Sequence, residues 1–232
     1  GPGPTAVSGA PDAAVFLRVG HVGGAPRAHQ DGRTVPGLAV PARGGVVVAR
    51  AGGGIDEPLS GGRWPTAAMT ASWVERLAAV PWAVALQQYN LLDSHDTARA
   101  LWIVNGDESA LRLCLLLQMT LPGAPCIYYG TEVGMTGGPD PDCRGAFPWQ
   151  NPEGWNRGLL EFTKRATALR HRYPALSRGS YALLYADRGL FVFRRDFAGE
   201  SVVVLLNNGL HETSVQLPVQ EGDGTRFCNV WG

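Results

Sequence analysis

The sequence predicts an α/β fold that gives way, near Ser177, to a small antiparallel β-domain. Three observations carry this. Between Trp64 and Leu176, stretches with helical apolar spacing alternate with short strand-like runs. After Ser177 the chain breaks into short β-rich runs joined by turn residues. Before about Pro58 neither pattern is sustained.

Roughly half of residues 1–57 are Gly, Ala and Pro, a bias typical of poorly packed chain. Only Ala14 to Val19 and Val46 to Arg50 read as short strands there. Three explanations are open: a loose leader, a remnant of an N-terminal β-domain, or out-of-frame translation of a GC-rich gene. The last is suggested by frequent arginine beside a single lysine, Lys164. Gly1-Pro2-Gly3-Pro4 opens the chain and Met69 is its first methionine, which reads as something other than a native start.

From Trp64 the pattern becomes globular. Met69, Trp73, Leu77 and Val80 share one face of a helix over 66–80, with Pro65 and Thr66 at its start. Val84 to Leu92 reads as a strand. Asp107 is a good N-cap for a helix running to about Thr120. That helix is apolar nearly all round and must be buried. Pro122-Gly123 stops it, and Pro125 to Tyr129 reads as a short strand covered on both faces. A loop rich in Gly, Pro and Asp runs from Gly130 to Glu153. Trp155, Leu159, Phe162, Ala166, Leu169 and Tyr173 then form one continuous helical stripe, ended by Pro174. Tyr181 to Tyr185, Leu190 to Arg194, Ser201 to Leu206 and Thr213 to Leu217 are strands, with Asp187-Arg188-Gly189, Phe197-Ala198-Gly199 and Asn207-Asn208-Gly209 as turns. The expected organisation is an irregular segment at 1–57, an α/β portion at 58–176 and a β-domain at 177–232.

Bulk properties remove several function classes. Lys plus Arg is 20 and Asp plus Glu is 20, a net charge of +0, so no field favours nucleic acid or an anionic membrane. No apolar run approaches the roughly 18 residues of a membrane span, and no basic-then-apolar leader is visible, which reads as a soluble, cytoplasmic protein. Cys114, Cys126, Cys143 and Cys228 include no C-x-x-C pair and no histidine at ligand spacing, so no metal and no cofactor is expected. Cys114 and Cys126 read as buried free thiols.

The chemistry-bearing stretch is Asn90 to Thr97, NLLDSHDT, where a strand passes into a loop. Functional side chains of α/β barrels gather at the C-terminal ends of strands. By itself a strand-end His-Asp pair is more often structural than catalytic. Ser94, His95 and Asp96 are consecutive and diverge, so they cannot form the relay of a serine hydrolase.

Three stretches taken together are more specific: NLLDSHDTARAL (Asn90 to Leu101), LPGAPCIYYGTEVGMTGGPDPDCRGAFPW (Leu121 to Trp149) and ALRHRYPAL (Ala168 to Leu176). In this order the chain resembles the α-amylase family of glycoside hydrolases, family 13. Its DPDCR and SHDT forms look most like the neopullulanase, cyclomaltodextrinase and maltogenic amylase group. The resemblance implies a partial (β/α)8 TIM barrel, with Val84 to Leu92 as strand seven and Pro125 to Tyr129 as strand eight. An antiparallel β-sandwich-type C-terminal domain would follow. It implies that Asp96 is a third catalytic carboxylate, a transition-state stabiliser, and that His95 holds the same sugar. Charge-assisted hydrogen bonds that tighten as the ring flattens toward an oxocarbenium ion suit that role. Asp140 and Arg144 match positions that bind the next sugar, although a local ion pair ordering the loop explains them nearly as well. Tyr128 and Glu132 would be scaffold. Ala98 departs from the group, which often has a larger or charged residue there. The implied partner is an α-glucan oligosaccharide.

A retaining glycosidase also needs a nucleophilic carboxylate and an acid/base carboxylate about 5 Å apart. The family's G-x-R-x-D pattern is not in the sequence: Gly61-Gly62-Arg63-Trp64-Pro65 has proline where the aspartate belongs, and Asp56 and Glu57 follow no strand. The expectation is a chain inactive by itself, with a carbohydrate-binding or interaction fragment as the alternative, and an open barrel edge that invites self-association.

Overall fold

The computed structural model describes residues 13–19, 38–40, 66–187, 189–209, 213–215, 217 and 226–231. The expected strand at 46–50, Asp56, Glu57 and the 61–65 stretch, Pro65 included, lie outside them.

Two strands come from the first segment, β1 (Ala13–Val19) and β2 (Leu38–Val40). The α/β portion then runs α1 (Thr66–Ala78), α2 (Trp82–Ala85), β3 (Tyr89–Leu91), α3 (Ala100–Ile103), α4 (Glu108–Thr120), β4 (Ala124–Cys126), α5 (Arg157–Arg172) and α6 (Pro174–Arg178). The tail supplies β5 (Ala182–Asp187), β6 (Leu190–Phe197), β7 (Glu200–Asn207), β8 (Thr213–Val215) and β9 (Arg226–Asn229).

Strands β3 and β4 pair in parallel, Tyr89 opposite Ala124 and Leu91 opposite Cys126. Helix α4 binds the pair from behind. Its buried Gln118 donates from Nε2 to the carbonyls of Asn90 at 2.7 Å and Cys126 at 2.9 Å. The turn between α4 and β4 passes so close to Asn90 that a Cβ on Gly123 would stand 2.7 Å from its side chain, and Gly123 has φ of +116°. Only glycine fits there.

Two expectations change here. The strand expected over Val84 to Leu92 is confined to 89–91, because Pro81 opens a helical turn instead: the amides of Val84 and Ala85 both donate to its carbonyl. Pro81 stands at the N-cap with φ of −56° and ψ of 140°, and two of the four residues that follow are alanine, the best helix former. The strand expected at 125–129 ends at Cys126, which is exposed rather than buried. Among the described residues, β4 has β3 as its one neighbouring strand, and side chains alternate across a strand, so α4 covers only one face.

The three long helices follow the pattern, α1 ending at Ala78 rather than Val80, while the short α2, α3 and α6 lie outside it. Asp107 caps α4 by accepting from the amide of Ala110 at 3.0 Å. Nine of its residues are buried, with Leu113, Leu116 and Met119 on one side and Ala110, Leu111 and Leu115 on the other. Asn156 caps α5 through the amide of Leu159, so that helix starts at Arg157 rather than Trp155. Pro174 ends α5 and opens α6.

The tail forms an antiparallel sheet in the order β5-β6-β7-β1-β9. Strand β1 lies between β7 and β9, so part of the first segment completes the C-terminal sheet. Strand β8 pairs with β2 instead. One core runs through both portions: Leu113, Leu116 and Leu169 pack with Phe191, Phe193, Val202 and Val204. Arg195 is fully buried at this junction. It donates to the carbonyls of Thr120 (2.6 Å), Leu176 (2.9 Å), Gly179 (3.0 Å) and Ser180 (2.8 Å). Arg170 similarly donates to the carbonyls of Met119, Leu121 and Gly123 at the C-terminal end of α4, where the helix carries partial negative charge. Burial draws both guanidinium groups below the ordinary arginine value, Arg170 to about 10 and Arg195 to about 9.

Candidate functional site

The site forms where two loops leave the carboxyl ends of β3 and β4. The first is a tight turn. Ser94 N–H donates to Thr97 Oγ1 at 2.9 Å, and Asp96 N–H donates to Ser94 Oγ at 3.2 Å. This puts His95 and Asp96 at its apex, with side chains 63% and 70% exposed, His95 Nε2 lying 3.3 Å from Asp96 Oδ2.

The second loop brings Asp140 and Arg144 to the same place. Arg144 ends a 3-10 turn over Asp142–Arg144. Its Nε lies 2.7 Å from Asp140 Oδ1, and its Nη2 lies 3.5 Å from Asp96 Oδ1. The four residues singled out in the sequence therefore form one chain of polar contacts, His95–Asp96–Arg144–Asp140, open to solvent. Buried Cys143 fastens the two loops by donating from Sγ to the carbonyl of His95 at 3.4 Å. Exposed ion pairs of this kind contribute only about 0–1 kcal/mol each, so the cluster is not what holds the fold. Its groups are left available for another partner.

Sequence reasoning missed the support underneath. Asp93 is buried and accepts from the amide of Ala100 at 2.9 Å and the hydroxyl of Thr131 at 2.7 Å. Burial raises the Asp93 carboxyl above its ordinary value, opposed by those two hydrogen bonds and by Arg99. Arg99 is fully buried, its guanidinium 4.6 Å from the ring centre of Tyr128 and 4.8 Å from that of Tyr129. It donates to the Tyr129 carbonyl at 2.7 Å. Tyr128 donates to the carbonyl of Cys143 at 3.4 Å. The signal was present: opposite charges at Asp93 and Arg99 bracket the SHDT stretch inside an otherwise apolar segment.

A parallel strand pair backed by helices, with charged side chains at its carboxyl end and an antiparallel domain beyond it, is what the end of a (β/α)8 barrel followed by a β-domain presents. Comparison with known proteins agrees. Residues 58–170 match the α-amylase catalytic domain and residues 179–226 the α-amylase C-terminal domain. The chain is 45% identical over 143 residues to neopullulanase 2 of Thermoactinomyces vulgaris, covering 61% of this chain and 24% of that protein. It is 41% identical over 145 residues to a cyclomaltodextrinase of Geobacillus thermopakistaniensis, covering 62% and 24%. Among solved structures, the acarbose-soaked debranching enzyme of Nostoc punctiforme superposes with a TM-score of 0.60 at 34% identity, over 69% of this chain and 38% of that one. The cyclic α-maltosyl-(1→6)-maltose hydrolase of Arthrobacter globiformis, in complex with that sugar, gives 0.59 at 33%, over 67% and 40%. The chain belongs to the α-amylase family. It spans about a quarter of the length of the curated relatives it matches.

Proposed function

We propose that this chain supplies the sugar-gripping end of an α-glucan hydrolase site, with Asp96 as the third carboxylate, His95 on the same sugar, and Asp140 with Arg144 on the next. The observation that carries this reading is Arg144 standing between Asp96 and Asp140, at 3.5 and 2.7 Å. A guanidinium bridging two carboxylates holds acceptors and donors side by side, the pattern that neighbouring sugar hydroxyls match. The relatives named neopullulanase and cyclomaltodextrinase, and a solved neighbour holding a cyclic maltosyl-maltose, point to maltooligosaccharides and cyclodextrins as the ligand class.

Turnover by these 232 residues alone is a different matter. The positions that match the family supply one of its three carboxylates, and double displacement needs the other two. The chain then binds glucan without cleaving it. Incubation with maltooligosaccharides and cyclodextrins, followed by chromatography, tests this: unchanged sugars are expected, and release of glucose or maltose contradicts it.

The edge of β3 supports one further part of the proposal. Tyr89 is 77% and Leu91 53% exposed on a parallel pair that has no third strand among the described residues. Parallel sheets are ordinarily covered on both faces. This edge self-associates or takes up another strand.

A further inference from the structure

We propose that Trp149 is a stacking platform for an α-glucan, extending the grip of Asp96, Asp140 and Arg144 by further sugar rings; the inference rests on the reading of that cluster as a sugar site.

Three aromatic side chains meet in the loop between β4 and α5. Phe147 lies 4.3 Å from Trp149 and 5.3 Å from Trp155, centre to centre, and the two indoles are 6.2 Å apart. Two of the three do the packing. Trp155 donates from Nε1 to the carbonyl of Pro148 at 3.1 Å, and the Arg157 guanidinium lies 4.9 Å from its ring centre. The loop is tied again where the amide of Asn151 meets the carbonyl of Pro148 at 3.1 Å. Trp149 contacts the rings of both Phe147 and Trp155 yet is 70% exposed. An indole used only as a staple would be covered, because burying aromatic area is its whole contribution.

Its position matches the ligand. The loop starts from the carboxyl end of β4 and finishes at the N-terminus of α5. In a β/α unit both points lie on the face that carries the functional loops. Trp149 lies on the same loop as Asp140 and Arg144, between β4 and α5. It is five residues beyond Arg144, so their Cα atoms are at most about 18 Å apart. Tyr129 ties the intervening chain by donating to the Gly145 carbonyl at 2.9 Å. A pyranose carries hydroxyls on its rim and C–H groups on its faces. A charged cluster and an exposed indole carried on the same loop offer partners to both.

Calorimetric titration of the whole chain with maltose, maltotriose and maltohexaose tests this. Wild type should bind the longer sugars more tightly, with quenching of tryptophan fluorescence. Trp149→Ala should bind maltohexaose about tenfold more weakly, bind maltose as wild type does, and lose the quenching, with an unchanged melt. Trp149→Phe should recover most of the affinity. Arg144→Ala should weaken every length, maltose included. If Trp149→Ala matches wild type at every length, the platform is refuted while the cluster's role stands. If wild type binds no glucan, both fall.

Discussion

The Nη2 of Arg144 stands 3.5 Å from Oδ1 of Asp96, joining the loop that follows β3 to the loop that follows β4. Both side chains are largely exposed, so this contact positions groups without stabilising much. The consequences for binding and for folding therefore separate.

Replacing Arg144 with alanine should leave unfolding free energy within about 1 kcal/mol of wild type. The same change should weaken maltotriose binding by about tenfold or more, since a hydrogen bond to a charged group is worth about 1.5–3 kcal/mol. Denaturant unfolding beside calorimetry checks both halves.

Asp93 behaves oppositely. Asp93→Ala leaves the amide of Ala100 and the hydroxyl of Thr131 without their acceptor. A loss of about 1–3 kcal/mol for each orphaned donor is expected on denaturant unfolding.

The pH dependence follows from the same residue. Its carboxyl is raised in the folded state, so in the window from the ordinary carboxylate value up to the raised one the folded chain holds more proton than the unfolded chain. Asp93's contribution is then fully present below that window and lost as pH rises through it. Melts from pH 4 upward should show this falling component in wild type and lack it in Asp93→Asn.

Arg195 should matter as much as any core residue. Its four carbonyl partners come from α4, from α6 and from the two residues after α6. Arg195→Ala should cost about 3–5 kcal/mol and loosen both portions together, because one core serves both. Hydrogen exchange in α4 and β6 should rise in parallel.

The side of β3 that faces no strand among the described residues predicts association that grows with concentration. Leu91→Lys should reduce it in sedimentation velocity, since a charge on an edge strand opposes pairing.

What was legible in the sequence was local. Asp107 announces α4 because a cap needs only the next three residues, and the stripe from Leu159 to Tyr173 announces α5 because its period is internal. His95, Asp96, Asp140 and Arg144 were legible through their motifs, and the structure brings all four together. Less local features were hidden. Pro81 turned part of an apparent strand into helix, and Cys126 is exposed because burial depends on what packs over a strand. Asp93, Arg99 and Arg195 act through carbonyls and rings far along the chain, which no short window contains. The insertion of β1 between β7 and β9 is likewise a pairing across nearly the whole sequence.

The most direct test is a calorimetric titration of wild type and Asp96→Ala with maltotriose. Binding by wild type, weakened at least about tenfold in the variant while its melt is unchanged, is the expected result. Equal binding by the two proteins, or no heat from wild type at millimolar sugar, would contradict the assignment of Asp96 to the glucan.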